Sequence, residues 1–188
     1  MSTKVKLWTQ QSKKVKDLLF KEKRLTVKKR YIKRKYGSEA EIFLKAYDFF
    51  VSEAKKIVQK PEDAEYPFWA AADPKSVLNG GGGFLIKLQV PKEKIIFFDK
   101  KKWNKILNLS YIADDQKDLE EHQKALKKWG ITDDSEVMLS PYYPVLKNKI
   151  RQSWQKLFES ENDGFNSAKR GAAVWVLCSE WVEKVIKN

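Results

Sequence analysis

The period of the apolar positions changes several times along the chain, and each change predicts an element. Val5 and Leu7 alternate with Lys4, Lys6 and Trp8, the pattern of a short amphipathic strand. Ser12 is an N-cap residue type, and Val15, Leu18 and Leu19 after it share one helical face. Residues 25–27 interrupt that face, and a basic run over 28–35 ends at Gly37, a residue suited to a helix end. Ser38 and Glu41 have capping-box spacing ahead of a helix over 39–59, with Phe43, Ala46, Phe50, Ala54 and Ile57 as its buried stripe. Pro61 stops it.

The next apolar runs are shorter. Residues 68–72 predict a strand, and Phe84, Ile86, Leu88 and Val90 predict an alternating one. Residues 95–98 are continuously apolar, which suits a central strand buried on both faces, with a helical segment as the alternative. Asp99 is placed to cap a short helix with Trp103, Ile106 and Leu107. A more polar helix starts near Asp115 and ends at Gly130. Pro144 sits at the first position of another, with Leu146, Ile150, Trp154, Leu157 and Phe158 in one stripe. Residues 174–186 predict one or two closing strands. Strands and helices are interspersed without a βαβ rhythm. The expected class is therefore α+β, one domain over 1–188 with a small mixed or antiparallel sheet and several flanking helices. Flexible loops are expected near 79–83 and over 160–171.

Charge changes this picture more than overall composition does. Of a net +13 on 188 residues, residues 1–60 carry 18 Lys or Arg against 6 Asp or Glu, and residues 13–35 alone hold 12 basic residues against Asp17 and Glu22. The rest of the chain is almost neutral, so general lysine richness does not explain the asymmetry. Such an excess attracts polyanions. One cysteine, Cys178, and one histidine, His122, leave no intramolecular disulfide and almost no soft-metal chemistry. No run of about 18 apolar residues is present, so no membrane span is expected. The polar start lacks a secretory signal, which leaves the cytosol as the expected compartment.

Landmarks with tryptophan then line up in order: Leu7-Trp8-Thr9-x-Gln11, Ala46-Tyr47, Tyr66-Pro67-Phe68-Trp69, Asp99 with Trp103 and Leu107, Ser153-Trp154, and Trp175 with Trp181-Val182. Together they resemble a bacterial family known as domain of unknown function 3841. Ala71 and Ala172-Ala173-Val174 depart from its pattern. The resemblance implies a shared fold and a bacterial or phage origin, and it carries no activity with it. A second, topological likeness is to ADP-ribosyltransferase-like folds, which hold NAD in a cleft between two small sheets. It rests on a first strand ending in Leu-Trp-Thr, then helices, a Trp-bearing strand, a strand pair and a late strand. It implies a ligand pocket bordered by Thr9, Gln11, Tyr66 and Trp69, with Glu180 as the nearest counterpart of the late Glu that steadies the nicotinamide ribose. Thr9 stands where those enzymes commonly carry His or Arg.

Other motifs reduce to structure. Glycines 80–83 precede a strand and lack the Lys-Ser/Thr of a phosphate loop, so a hairpin loop is expected. His122 sits among Glu120, Glu121, Gln123 and Lys124 and is expected to be exposed; Cys178 is expected in the core. The leading expectation is a module that binds RNA or DNA phosphates through Lys28, Lys29, Arg30, Lys33, Arg34 and Lys35, with Tyr31 and Tyr36 available to stack on bases. An NAD-using enzyme and a module docking on an acidic protein are the alternatives. No cofactor is expected outside the NAD reading, and no metal.

Overall fold

The computed structural model describes residues 3–77, 83–159 and 169–187. The expected loop glycines 80–82 and most of the expected loop 160–171 lie outside the described residues. The elements, in order, are β1 (Lys4–Gln11), α1 (Lys13–Glu22), β2 (Arg24–Thr26), α2 (Lys29–Tyr36), α3 (Ala40–Ile57), β3 (Phe68–Ala71), β4 (Phe84–Pro91), β5 (Ile96–Asp99), α4 (Lys100–Leu107), α5 (Gln116–Lys128), α6 (Asp134–Leu139), α7 (Pro144–Ser153), β6 (Arg170–Val174), β7 (Val176–Cys178) and β8 (Val182–Lys187). Six strands form one sheet in the order β5-β6-β3-β1-β4-β8, and β2 pairs with β7 in a two-stranded ribbon. Every pairing is antiparallel. The class is α+β, as expected.

Alternation along the strands builds two cores, one on each face of the sheet. Ile96, Phe98 and Ala173 face a core shared with α3 to α7, including Phe50, Trp103, Leu126, Ile150 and Trp154. Val5, Leu7, Ile86, Leu88, Ala172 and Val174 face the other, closed by Leu19 of α1, Leu177 of β7 and Trp181. Neighbours Ala172 and Ala173 thus point into different cores, the signature of a strand buried on both sides. Gly171 pairs with Phe98 across β5 and β6. A Cβ there would meet the Phe98 ring at 2.3 Å, so the ring lies over the strand only because position 171 has no side chain.

Several local expectations hold. Ser12 Oγ accepts from Val15 N at 3.3 Å, Asp99 Oδ1 accepts from Lys102 N at 2.8 Å, and Gly37 ends α2 at a φ of 55°. Others are corrected. Residues 37–39 form a 3-10 turn, so α3 begins at Ala40 and no side chain caps it; Ser38 and Glu41 make no capping box. The buried stripe of α3 is Ala40, Leu44, Ala46, Tyr47, Phe50 and Ala54, whereas Phe43 is half-buried and Ile57 is 53% exposed. Ile57 ends the helix as it leaves the core, which is why periodicity alone misplaces it. The apolar run over 95–98 is not a central strand: β5 is an edge, buried because helices cover it. The chain closes with three strands, because Trp175 interrupts the run as it passes from the sheet to the ribbon.

His122 is the largest correction. It is 1% exposed, and its Nε2 lies 2.6 Å from Asp134 Oδ1. Leu119, His122 and Leu126 are spaced at three and four, so His122 lies on the inward stripe of α5 despite its polar neighbours. The Tyr111 ring stacks on it at 4.0 Å, and Tyr111 N donates to Asp134 Oδ2 at 2.8 Å. The Tyr111 hydroxyl donates to Asp118, whose Oδ2 also accepts from Asp114 N. That backbone N–H, followed by the phenol and nearby Lys149 and Lys156, holds the Asp118 carboxyl below its usual range.

These interactions can be tested by stability measurements. Phe50→Ala should lower stability by about 3–5 kcal/mol in denaturant unfolding, because the ring is fully buried. Ser38→Ala should change stability by no more than about 0.5 kcal/mol, since no cap is removed. A separate prediction concerns alkaline pH. Burial, then the bond to Asp118, pushes the Tyr111 phenol up to about 12. The fold favours the neutral phenol, so this stabilisation is complete below pH 10 and is lost as pH rises toward 12. Thermal unfolding across that window should show a falling midpoint, and Tyr111→Phe should make the fall shallower.

Candidate functional site

The pocket expected around β1 is a filled core at its centre. Thr9 is 1% exposed; its hydroxyl donates to Trp69 O and accepts from Gln11 Nε2, both at 2.8 Å. Thr9, Gln11 and Trp69 are thus brought together, with the Thr9 hydroxyl bridging the Gln11 amide and the Trp69 carbonyl. The Trp69 ring packs against Phe50 at 4.8 Å, Trp103 at 5.0 Å, Tyr47 at 5.5 Å and Phe98 at 5.6 Å. Tyr66 points elsewhere: its hydroxyl donates to Asp48 Oδ1 of α3 at 2.5 Å. Burial, then the bond to Asp48, pushes the Tyr66 phenol well above its usual range. Glu180 is exposed in the turn Ser179–Trp181. That turn precedes the Val182↔Leu88 end of β8, while Thr9 and Gln11 pair with Ile86 and Phe84 farther along β4. The topology does not bring Glu180 to Thr9.

The six basic residues divide into anchors and free cations. Lys28 donates to the Asp63 carbonyl and lies 3.9 Å from Glu65, whose other oxygen accepts from Lys29 N at 2.6 Å. Arg24 forks onto Asp63 at 2.5 and 2.9 Å, and this bond holds the Asp63 carboxyl below its usual range. These contacts fasten the start of α2 to the segment before β3. Beyond the anchor, Lys29, Arg30, Lys33, Arg34 and Lys35 are exposed. Lys33 lies 3.7 Å from the Glu41 carboxylate, with both side chains in solvent, where such a pair is weak.

The two aromatic residues of this segment also part company. Tyr31 is 46% exposed, with the Arg30 guanidinium 5.1 Å from its ring centre. Tyr36 stacks on Phe43 at 3.9 Å and meets the Tyr47 hydroxyl at 3.4 Å. Only Tyr31 presents a ring to solvent.

Beside α2 lies a cleft of about 410 Å³, lined by Lys29, Glu41, Leu44, Lys45, Asp48, Phe49, Ser52 and Arg151. Lys45, Asp48, Phe49 and Ser52 stand at i, i+3, i+4 and i+7 of α3, a second stripe beside the buried one. That spacing was available in the sequence, but nothing local says that Lys29 and Arg151 close over it. Among the described residues, no group of three His, Cys, Asp or Glu could hold a metal ion, and no helix is long and apolar enough to cross a membrane.

An antiparallel α+β fold with a tryptophan-rich core defines the class. The chain belongs to the family described as Domain of unknown function (DUF3841), which matches residues 6–183. No curated protein and no solved structure matches it. Three of the tryptophan-associated landmark residues hold the fold together: Ser153 Oγ accepts from Ile112 N at 3.0 Å, Trp154 Nε1 donates to Ser110 O at 2.8 Å, and Trp175 Nε1 donates to Val58 O at 2.9 Å.

Proposed function

We propose that this protein binds the phosphates of single-stranded nucleic acid along the exposed face of α2. The observation that carries the reading is the row Arg30, Lys33, Arg34 and Lys35 in solvent, with the exposed Tyr31 ring beside it. Cations of this kind neutralise phosphates and release counterions, while an exposed ring stacks on an unpaired base without regard to sequence. Lys28 serves to seat the helix, and Tyr36 belongs to the core.

The reading is tested by binding measured against salt. Replacing Arg30, Lys33, Arg34 and Lys35 by Gln should sharply reduce affinity for single-stranded RNA or DNA. It should also flatten the slope of log K against log salt by roughly 0.7 for each phosphate that is no longer neutralised. Thermal stability should change little, since exposed charges contribute little to folding. Tyr31→Leu should cost about 1–3 kcal/mol of single-strand binding. Tyr36→Leu should instead lower the melting temperature. Wild-type protein that binds no nucleic acid at low salt would remove the reading.

A second reading, an NAD-using enzyme of ADP-ribosyltransferase type, is supported by the element order alone. It needs Thr9 or Gln11 to exchange internal hydrogen bonds for a ligand, and a carboxylate other than Glu180 beside them. Calorimetry with millimolar NAD decides it: no heat and no thermal shift would end it.

A further inference from the structure

The cleft between α2, α3 and α7 is lined by charges of both signs. Among the described residues, no carboxylate pairs with the side chains of Lys29, Lys45 or Arg151, although all three line the same space. Unpaired cations repel one another, and three around one cleft favour an anion there. Asp48 and Glu41 line the cleft too, so a ligand that is anionic throughout would be opposed. Tyr66 holds Asp48 by Oδ1, leaving Oδ2 without a partner among the described residues and open to a donor. The half-buried Phe49 ring is fixed edge-to-face on Trp154 at 5.2 Å and supplies an apolar surface between the charged groups. About 410 Å³ falls within the range of small-molecule sites.

We infer that this cleft binds a single nucleotide, with its phosphate among Lys29, Lys45 and Arg151, its base against Phe49, and a ribose hydroxyl or base amino group donating to Asp48. The ligand has an anionic end, a flat face and hydrogen-bond donors, and the lining offers a partner to each. The inference rests on the nucleic-acid reading, since Lys29 joins the cleft to α2 and the nucleotide can be part of a bound strand or free.

The experiment uses the full chain, calorimetry, and adenosine 5′-monophosphate, adenosine, inorganic phosphate and a short single-stranded RNA as probes. The monophosphate should bind at least tenfold more tightly than adenosine or inorganic phosphate. Lys45→Gln and Arg151→Gln should each weaken it about tenfold, the worth of one charge-assisted hydrogen bond. Both side chains stand at the surface, so folding should survive, and an unchanged melting temperature checks it. Phe49→Leu should weaken the monophosphate while leaving inorganic phosphate unaffected. The Arg30, Lys33, Arg34 and Lys35 variant should lose RNA affinity and keep the monophosphate. Tight RNA binding with no monophosphate binding overturns the cleft inference and leaves the α2 reading standing. Monophosphate binding without RNA binding overturns the α2 reading, and with it the claim that the cleft serves a strand. Inorganic phosphate binding as tightly as the monophosphate overturns the nucleotide assignment.

Discussion

A buried indole needs an acceptor for its N–H as well as space for its rings, and the tertiary structure here depends on how that need is met. Trp175 reaches the Val58 carbonyl at the end of α3, joining positions 117 apart in the chain. Trp154 reaches the Ser110 carbonyl in the link after α4. Both acceptors lie just past a helix end, where the helix's own hydrogen-bond ladder no longer pairs the backbone carbonyls. The donor and the acceptor solve each other's problem. Trp69 and Trp103 fill the space between, Trp69 edge-on to Phe50, Tyr47 and Phe98 and Trp103 stacked on Tyr47, so that rings clamp α3 to the sheet.

That clamp decides what α3 shows to the outside. With Ala46, Tyr47, Phe50 and Ala54 turned inward, Lys45, Asp48, Phe49 and Ser52 form the adjoining stripe and line a cleft. The Arg24 fork and the Lys28 contacts with Asp63 and Glu65 then lay α2 beside it. Some of the basic residues thus serve to place the cationic helix, and the remainder are left in solvent. A count of charges does not separate these roles.

Much of the fold was legible locally. Alternation marked β1 and β4, Ser12 and Asp99 capped the helices that they precede, and Pro144 opened α7, because each of these depends on residues within one turn or one strand. What misled was context. The capping-box spacing of Ser38 and Glu41 was overridden when Gly37 turned the chain into a 3-10 segment first. His122 looked exposed from its neighbours, yet its stripe faces Tyr111 and Asp134, which lie beyond its own helix. Thr9, Gln11 and Trp69 do meet, but their meeting closes the core by satisfying Thr9 and Gln11 internally, while Tyr66 turns its hydroxyl to Asp48.

The sequence by itself determined the class, most of the element positions, the family and the concentration of charge in the first third, because periodicity, caps and composition are local or additive properties. The tertiary structure alone decided which cations are left without a carboxylate, which of Tyr31 and Tyr36 faces water, and where a cleft opens. Lys28 and Arg34 are alike in sequence context. They differ because Asp63 and Glu65, more than 30 positions away, stand beside the first, and only the packing of β2 and the segment before β3 brings them there.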